Sequence, residues 1–199
     1  MGVRAELRSD VQGESALARA CLTDLFHTTI FNTFSWQSQV DLYLWEQLLN
    51  KHDDIKTIIE LGTYYGGMSC FLLLQATNRG MDFWTFDRIR YKLRTNPVAA
   101  LVGLEEHCIN EDVDGGKAPK LRALLKQNRP IMLFMDNGNK KKEFALYVPA
   151  LQSGDYVSVH DWGPEVWAEH IKPFQHLLEP IFLKRCEELD SYTRFWRLK

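Results

Sequence analysis

Five side chains able to move protons or bind cations, Glu60, Asp87, Asp136, His160 and Asp161, stand at or just beyond the carboxyl ends of short apolar runs. The runs are Ile55 to Ile59, Met81 to Phe86, Ile131 to Met135 and Tyr156 to Val159. Each is bounded by turn residues and reads as a buried strand. In an open α/β sheet the carboxyl ends of the strands share one crevice, where ligands bind. Asp136, Asn139, His160 and Asp161 together offer oxygen and imidazole ligands to a hard divalent cation such as magnesium. That cation would act as a Lewis acid on a substrate hydroxyl. Without a metal, Asp136 and His160 are the candidate catalytic groups, with His160 a general base whose ordinary titration range spans neutral pH. Both readings stay open, as does simple helix capping by Asp136 and Asp161.

The second constellation is the turn E-L-G-T-Y-Y-G-G, from Glu60 to Gly67, between the first of these strands and an apolar helical stretch from Met68 to Gln75. A dinucleotide loop would read G-x-G-x-x-G and seat a pyrophosphate on the helix N-terminus. Here an acid precedes the first glycine and no second glycine follows two residues on. A carboxylate at that place suits a ligand carrying an amino group. Glu60, Gly62, Tyr64, Gly66, Gly67 and Ser69 are therefore the candidate contacts of a small cofactor. Asp87 lies at the tip of the second strand, about 20 residues past the loop, the offset of acids that accept ribose hydroxyls. A short third strand within His107 to Val113 brings Asp112 to its end as a candidate for an adenine contact. The alternative for the loop alone is a tight turn that binds nothing.

These residues need a scaffold. Glu14 to Ile30 and Phe34 to Lys51 carry apolar residues at helical spacing and read as two amphipathic helices, the second capped by Ser35 or Ser38. Helices are also expected over Ala118 to Gln127, Lys140 to Leu151 and Glu165 to Leu178. The last two apolar runs, Pro180 to Cys186 and Tyr192 to Leu198, read as a terminal antiparallel hairpin about the turn Leu189-Asp190-Ser191. Alternating strands and helices predict a three-layer α/β sandwich with a mostly parallel, seven-stranded sheet. One domain over 1–199 is expected, with an N-terminal helical cover (1–52) and an α/β core (53–199).

The 199 residues are 45% hydrophobic, enough for a substantial core, and the net charge of −2 gives no general electrostatic case for nucleic acid or an anionic membrane. Arg88, Arg90, Lys92 and Arg94 form a basic run that reads first as a solvated face. Cys21, Cys70, Cys108 and Cys186 are scattered without a C-x-x-C pair, pointing to free thiols in a reducing compartment. The first ten residues lack the apolar core of a signal peptide, so a cytoplasmic location is expected. A homodimer contact through the N-terminal helices remains open.

Three stretches together carry a family resemblance: SWQSQVDLYLWEQLL with Gln39, Asp41 and Glu46, IIELGTYYGGMSCFL, and IMLFMDNGNKKKEFALYVPALQSGDYVSVHD. The loop resembles the first motif of class I S-adenosylmethionine-dependent methyltransferases. The three stretches together, from about Ser35 to Asp161, resemble the cephalosporin hydroxylase and rhamnosyl O-methyltransferase family. The resemblance implies a Rossmann-like methyltransferase sandwich that moves a methyl group from S-adenosylmethionine to a hydroxyl of a small molecule or sugar. It also implies cofactor contacts at Glu60, Gly62, Gly66 and Asp87, and magnesium at Asp136 and Asp161. Two departures bear on catalysis. Asn139 stands where some relatives have a catalytic histidine, and asparagine takes no proton at neutral pH. His160-Asp161 stands where a pair of acids is usual. The alternative is a catalytically degenerate methyltransferase-fold protein that binds the nucleoside and serves as an interaction module.

Overall fold

A computed structural model describes residues 28–30, 33–89 and 96–199. Its main sheet has seven strands in the order β5-β4-β3-β6-β7-β9-β8. They are β3 (Thr57–Leu61), β4 (Asp82–Asp87), β5 (Cys108–Asn110), β6 (Ile131–Met135), β7 (Tyr156–Val159), β8 (Leu178–Ile181) and β9 (Arg194–Leu198). The first five pair in parallel, and β9 runs antiparallel to both β7 and β8. A separate antiparallel pair, β1 (Thr28–Ile30) and β2 (Thr33–Ser35), precedes them.

The central strands β3 and β6 are buried at every position. That accounts for their unbroken apolar sequence, because helices cover both faces of a parallel sheet. Successive side chains alternate faces. Ile58, Met132 and Phe134 therefore join a core with the helices Gln39–Lys51 and Gly67–Arg79, while Ile59, Leu61, Ile131, Leu133 and Met135 join Phe144 and Tyr147 of the helix Lys140–Tyr147. Trp45 fixes the first layer edge-on against Phe134 and Phe195, at 4.9 and 5.3 Å between ring centroids.

Several elements differ from the sequence expectation. Of the helix expected over Glu14 to Ile30, residues 14–27 lie outside the described residues, and Thr28–Ile30 form β1, as three β-branched residues favour. The next helix begins at Gln39 rather than Phe34, with Ser38 as its cap. Glu165 to Leu178 contains only a helical turn at Ala168–Ile171 and a 3₁₀ segment at Lys172–Leu177 before β8. The run Pro180 to Cys186 is not one strand. Phe182 takes a left-handed conformation (φ 56°) and starts the helix Leu183–Glu188, so β8 and β9 pair across a helix instead of a tight turn. The segment LKRCEE is all good or neutral helix formers, and that local preference prevails.

Candidate functional site

The carboxyl ends of the parallel strands are tied side by side by their backbones. Gly62 N–H donates to Phe86 O, Asp136 N–H to Leu61 O, His160 N–H to Met135 O and Glu111 N–H to Asp87 O, at 2.8 to 3.2 Å. The residues immediately after the strands are thereby forced into one crevice. It contains a cavity of about 410 Å³ lined by the glycine loop (Gly62 to Gly67), Met68, Asp87, Asp136 to Gly138, Lys140, Asp161 and Glu165, with Phe34, Ser35 and Trp36 along one side. That volume lies in the range of small-ligand sites.

The glycine loop turns through three left-handed residues, Gly62 (φ 106°), Tyr64 (φ 49°) and Gly66 (φ 81°). Gly62 is required twice over. Beyond its backbone angle, a Cβ there would lie 2.5 Å from the carbonyl oxygen of Asp136. Gly67 is required by packing, since its Cβ would lie 2.5 Å from the Phe34 carbonyl oxygen. The helix Gly67–Arg79 that follows has no side-chain cap on its first N–H groups, and Gly66, Gly67 and Met68 at that end line the cavity. Asp87 clamps the loop. Its Oδ2 accepts the Tyr64 N–H and its Oδ1 the Ile89 N–H, both at 2.9 Å, leaving lone pairs for a ligand.

Glu60 and Ser69 do not line this cavity. Glu60 belongs to the interior of β3, flanked in register by Thr85 and Phe134, and is fully buried beneath the loop. Ser69 donates a hydroxyl hydrogen bond to its carboxyl group. Burial pushes Glu60 up to about 8, against the opposing effect of that hydroxyl. Asp112 is also away from the cavity. It is exposed two residues beyond the end of β5, where its Oδ1 accepts the Asp114 N–H. Asn139 caps the helix Lys140–Tyr147 through Lys142 N–H and is exposed.

Opposite the loop, Asp136, His160 and Asp161 come together, with potential ligand atoms within 4.8 Å of one another. His160 Nδ1 lies 3.1 Å from Asp136 Oδ1 and 3.2 Å from Asp161 Oδ1, while Nε2 lies 3.8 Å from Asp41 Oδ2. The ring is buried, yet these carboxylates hold its pKa well above the usual histidine range, led by Asp136. His160 is therefore enclosed by three carboxylates and does not line the cavity itself. Asp161 takes a left-handed backbone (φ 57°), a strained position at the mouth of the site.

Sequence reasoning missed Lys140. Its side chain is 5% exposed, and its ammonium lies 2.6 Å from Asp161 Oδ2, 3.2 Å from Glu165 Oε2 and 3.8 Å from Asp136 Oδ1. The fourth oxygen of the Asp136–Asp161 pair, Asp136 Oδ2, accepts from Gln37 Nε2 at 2.8 Å. The donor types suit magnesium, but every carboxylate oxygen of the pair already faces a cationic or N–H group. As arranged, the residues do not fit a divalent cation beside Lys140. The i,i+4 spacing of Asp136 and Lys140 was the one sequence signal for this contact.

No family model and no curated protein matches the chain. Solved structures do. A CmcI apo structure aligns with a TM-score of 0.65 at 18% identity, covering 86% of this chain and 76% of that one. A CmcI structure with magnesium and S-adenosylmethionine gives 0.63 at 18% identity, covering 83% and 74%. An S-adenosylmethionine-dependent O-methyltransferase from Thermotoga maritima gives 0.55 at 14% identity, covering 88% and 69%. The mostly parallel sheet with flanking helices is the Rossmann-like methyltransferase fold of these neighbours.

Proposed function

We propose that the chain is an S-adenosylmethionine-dependent O-methyltransferase acting on a hydroxyl of a small molecule or sugar. One observation carries the reading: the uncapped helix N-terminus and the Asp87 carboxylate line one part of the same cavity that Asp136, Lys140 and Asp161 line elsewhere. The first part suits the two ends of the cofactor. Free N–H groups at the helix N-terminus suit its carboxylate, and Asp87 suits a pair of ribose hydroxyls. When bound, S-adenosylmethionine supplies an electrophilic methyl group on a sulfonium sulfur.

The chain's own residues then align and discharge the acceptor. The loop fixes the cofactor end of the cavity, and the aromatic side formed by Phe34, Trp36, Tyr64 and Tyr65 suits a ring-bearing acceptor. Asp136 lines the cavity and takes the hydroxyl proton, while Gln37 and His160 hold its carboxylate in place. His160 itself, buried and outside the lining, is a positioning residue. Alignment of the hydroxyl with the methyl carbon supplies most of the acceleration, and a fixed positive charge near the acceptor oxygen supplies the rest. Magnesium assistance, which the resemblance implies, does not enter this mechanism.

Titration calorimetry with S-adenosylmethionine and S-adenosylhomocysteine tests the cofactor site. Wild type is expected to bind both, and Asp87→Ala to weaken binding by about tenfold or more, the loss of one or two hydrogen bonds to a charged acceptor. Absence of binding in wild type overturns the reading. Binding without release of S-adenosylhomocysteine across a hydroxyl-acceptor screen favours the non-catalytic alternative, which the fully ion-paired acid cluster would also suit.

A further inference from the structure

We propose that Lys140 takes the place of a divalent cation in this chain, so that the crevice carboxylates hold an ammonium and bind no metal. The proposal deepens the methyl-transfer reading, on which only its catalytic consequence depends. That consequence is that Lys140, a residue of the cavity lining, meets with its ammonium the negative charge developing on the acceptor oxygen.

The geometry rests on where the charge is fixed. Lys140 is the first residue of its helix, one turn after Asp136, so its chain folds back over the strand end that carries the acid. Its ammonium touches acids from two places in the fold: Asp136 after β6, and Asp161 with Glu165 after β7. A lysine side chain on a solvated face keeps its ammonium in water, yet this one is 5% exposed among carboxylates. The same oxygens that a metal would use are already engaged. Asp161 Oδ2 faces Lys140, both Oδ1 atoms face His160 Nδ1, and Asp136 Oδ2 accepts from Gln37. Magnesium accepts only near-octahedral oxygen geometry and gives up its waters reluctantly. To enter, it would have to displace the ammonium and turn the imidazole away, with a second positive charge left a few ångströms off.

The test uses Mn²⁺ as the probe, following the free-ion signal by electron paramagnetic resonance on wild type, Lys140→Met and Lys140→Met/Asp161→Asn. Wild type is expected to leave the signal unchanged at millimolar Mn²⁺. Lys140→Met is expected to bind about tenfold more tightly or better, as removal of an adjacent positive charge requires, and the double variant to lose that gain. Lys140→Gln, which keeps a hydrogen-bonding end, replaces Lys140→Met if the latter fails to fold. Tight Mn²⁺ binding by wild type that Asp161→Asn abolishes overturns the proposal. It falls equally if neither the wild type nor any folded Lys140 variant binds Mn²⁺, because the carboxylates then form no cation site for lysine to fill. Calorimetric binding of S-adenosylmethionine is read on the same samples. Failure of the methyltransferase reading appears there, independently of the Mn²⁺ result.

Discussion

At the scale of single residues, the site depends on backbone positions that only certain side chains tolerate. Gly62 combines a φ of 106° with a would-be Cβ 2.5 Å from the backbone of Asp136. Gly62→Ala must therefore strain its own backbone and push the glycine loop off β6. The expected cost is about 2–4 kcal/mol of stability, measured by urea unfolding. Gly138 lines the same cavity but has open space where a Cβ would go, so Gly138→Ala is expected to change stability by less than about 1 kcal/mol. Equal losses for the two variants would refute the packing role given to Gly62. The spacing of the glycines announced a special turn. It did not announce that the crowding neighbour is a strand end rather than a ligand, because that contact joins residues 74 positions apart.

At the scale of elements, the helix Gln39–Lys51 links the crevice to the chain's C-terminal strand through one residue. Asp41 accepts from Ser38 N–H and Oγ in a reciprocal capping box, from Ser191 Oγ at 2.7 Å and from Thr193 N–H at 3.1 Å, and it faces His160 Nε2. Burial opposes its charge, but His160, Ser38 and Ser191 together hold Asp41 down at about 2. Asp41→Ala removes the reciprocal half of the capping box, unpairs Ser191 Oγ and Thr193 N–H and leaves His160 short of one carboxylate. A loss of about 3 kcal/mol is expected by urea unfolding, more than the roughly 1 kcal/mol of a capping interaction alone, and a loss near the lower figure would mean that the contacts with His160, Ser191 and Thr193 contribute nothing. The strands β6 and β7 were legible to the residue because buried parallel strands read as continuous apolar runs bounded by turns. The short helix Leu183–Glu188 was not. The apolar residues Pro180 to Leu183 that lead into it read as a strand, and the left-handed backbone of Phe182 ends that strand at Ile181. The acids at the strand tips were legible for the same reason as the strands. Lys140, Gln37 and Glu165 were not, because a long side chain's partner is fixed by folding rather than by spacing.

At the scale of the whole molecule, buried ionisable groups make stability depend on pH with a definite sign. Burial pushes Glu60 up to about 8, and burial together with Asp114 does the same to Glu143 on the other side of the sheet. An acid whose folded pKa lies above its unfolded value binds more protons when folded, so its stabilising effect is complete below about 4.5 and is lost as pH rises through 8. His160, also raised, acts with the same sign above its ordinary range. His52 is lowered by its partial burial and opposes them near pH 6, one group against three. On the acid side, Asp41 and Asp161 are both held low, so their contribution is lost as pH falls below about 4. The melting temperature is therefore expected to be highest near pH 5 and to decline steadily toward pH 9. Glu60→Gln and Glu143→Gln keep shape while removing the titration, and each should flatten the decline between pH 5 and 8. The two effects should add, because the side chains lie on separate elements with no contact between them. A wild-type melting profile that is flat or rising over that interval would show that both carboxyl groups find charge-stabilising partners in solution. The buried Glu60 carboxyl beneath the glycine loop would then be ionised under the conditions in which the cavity binds its ligand.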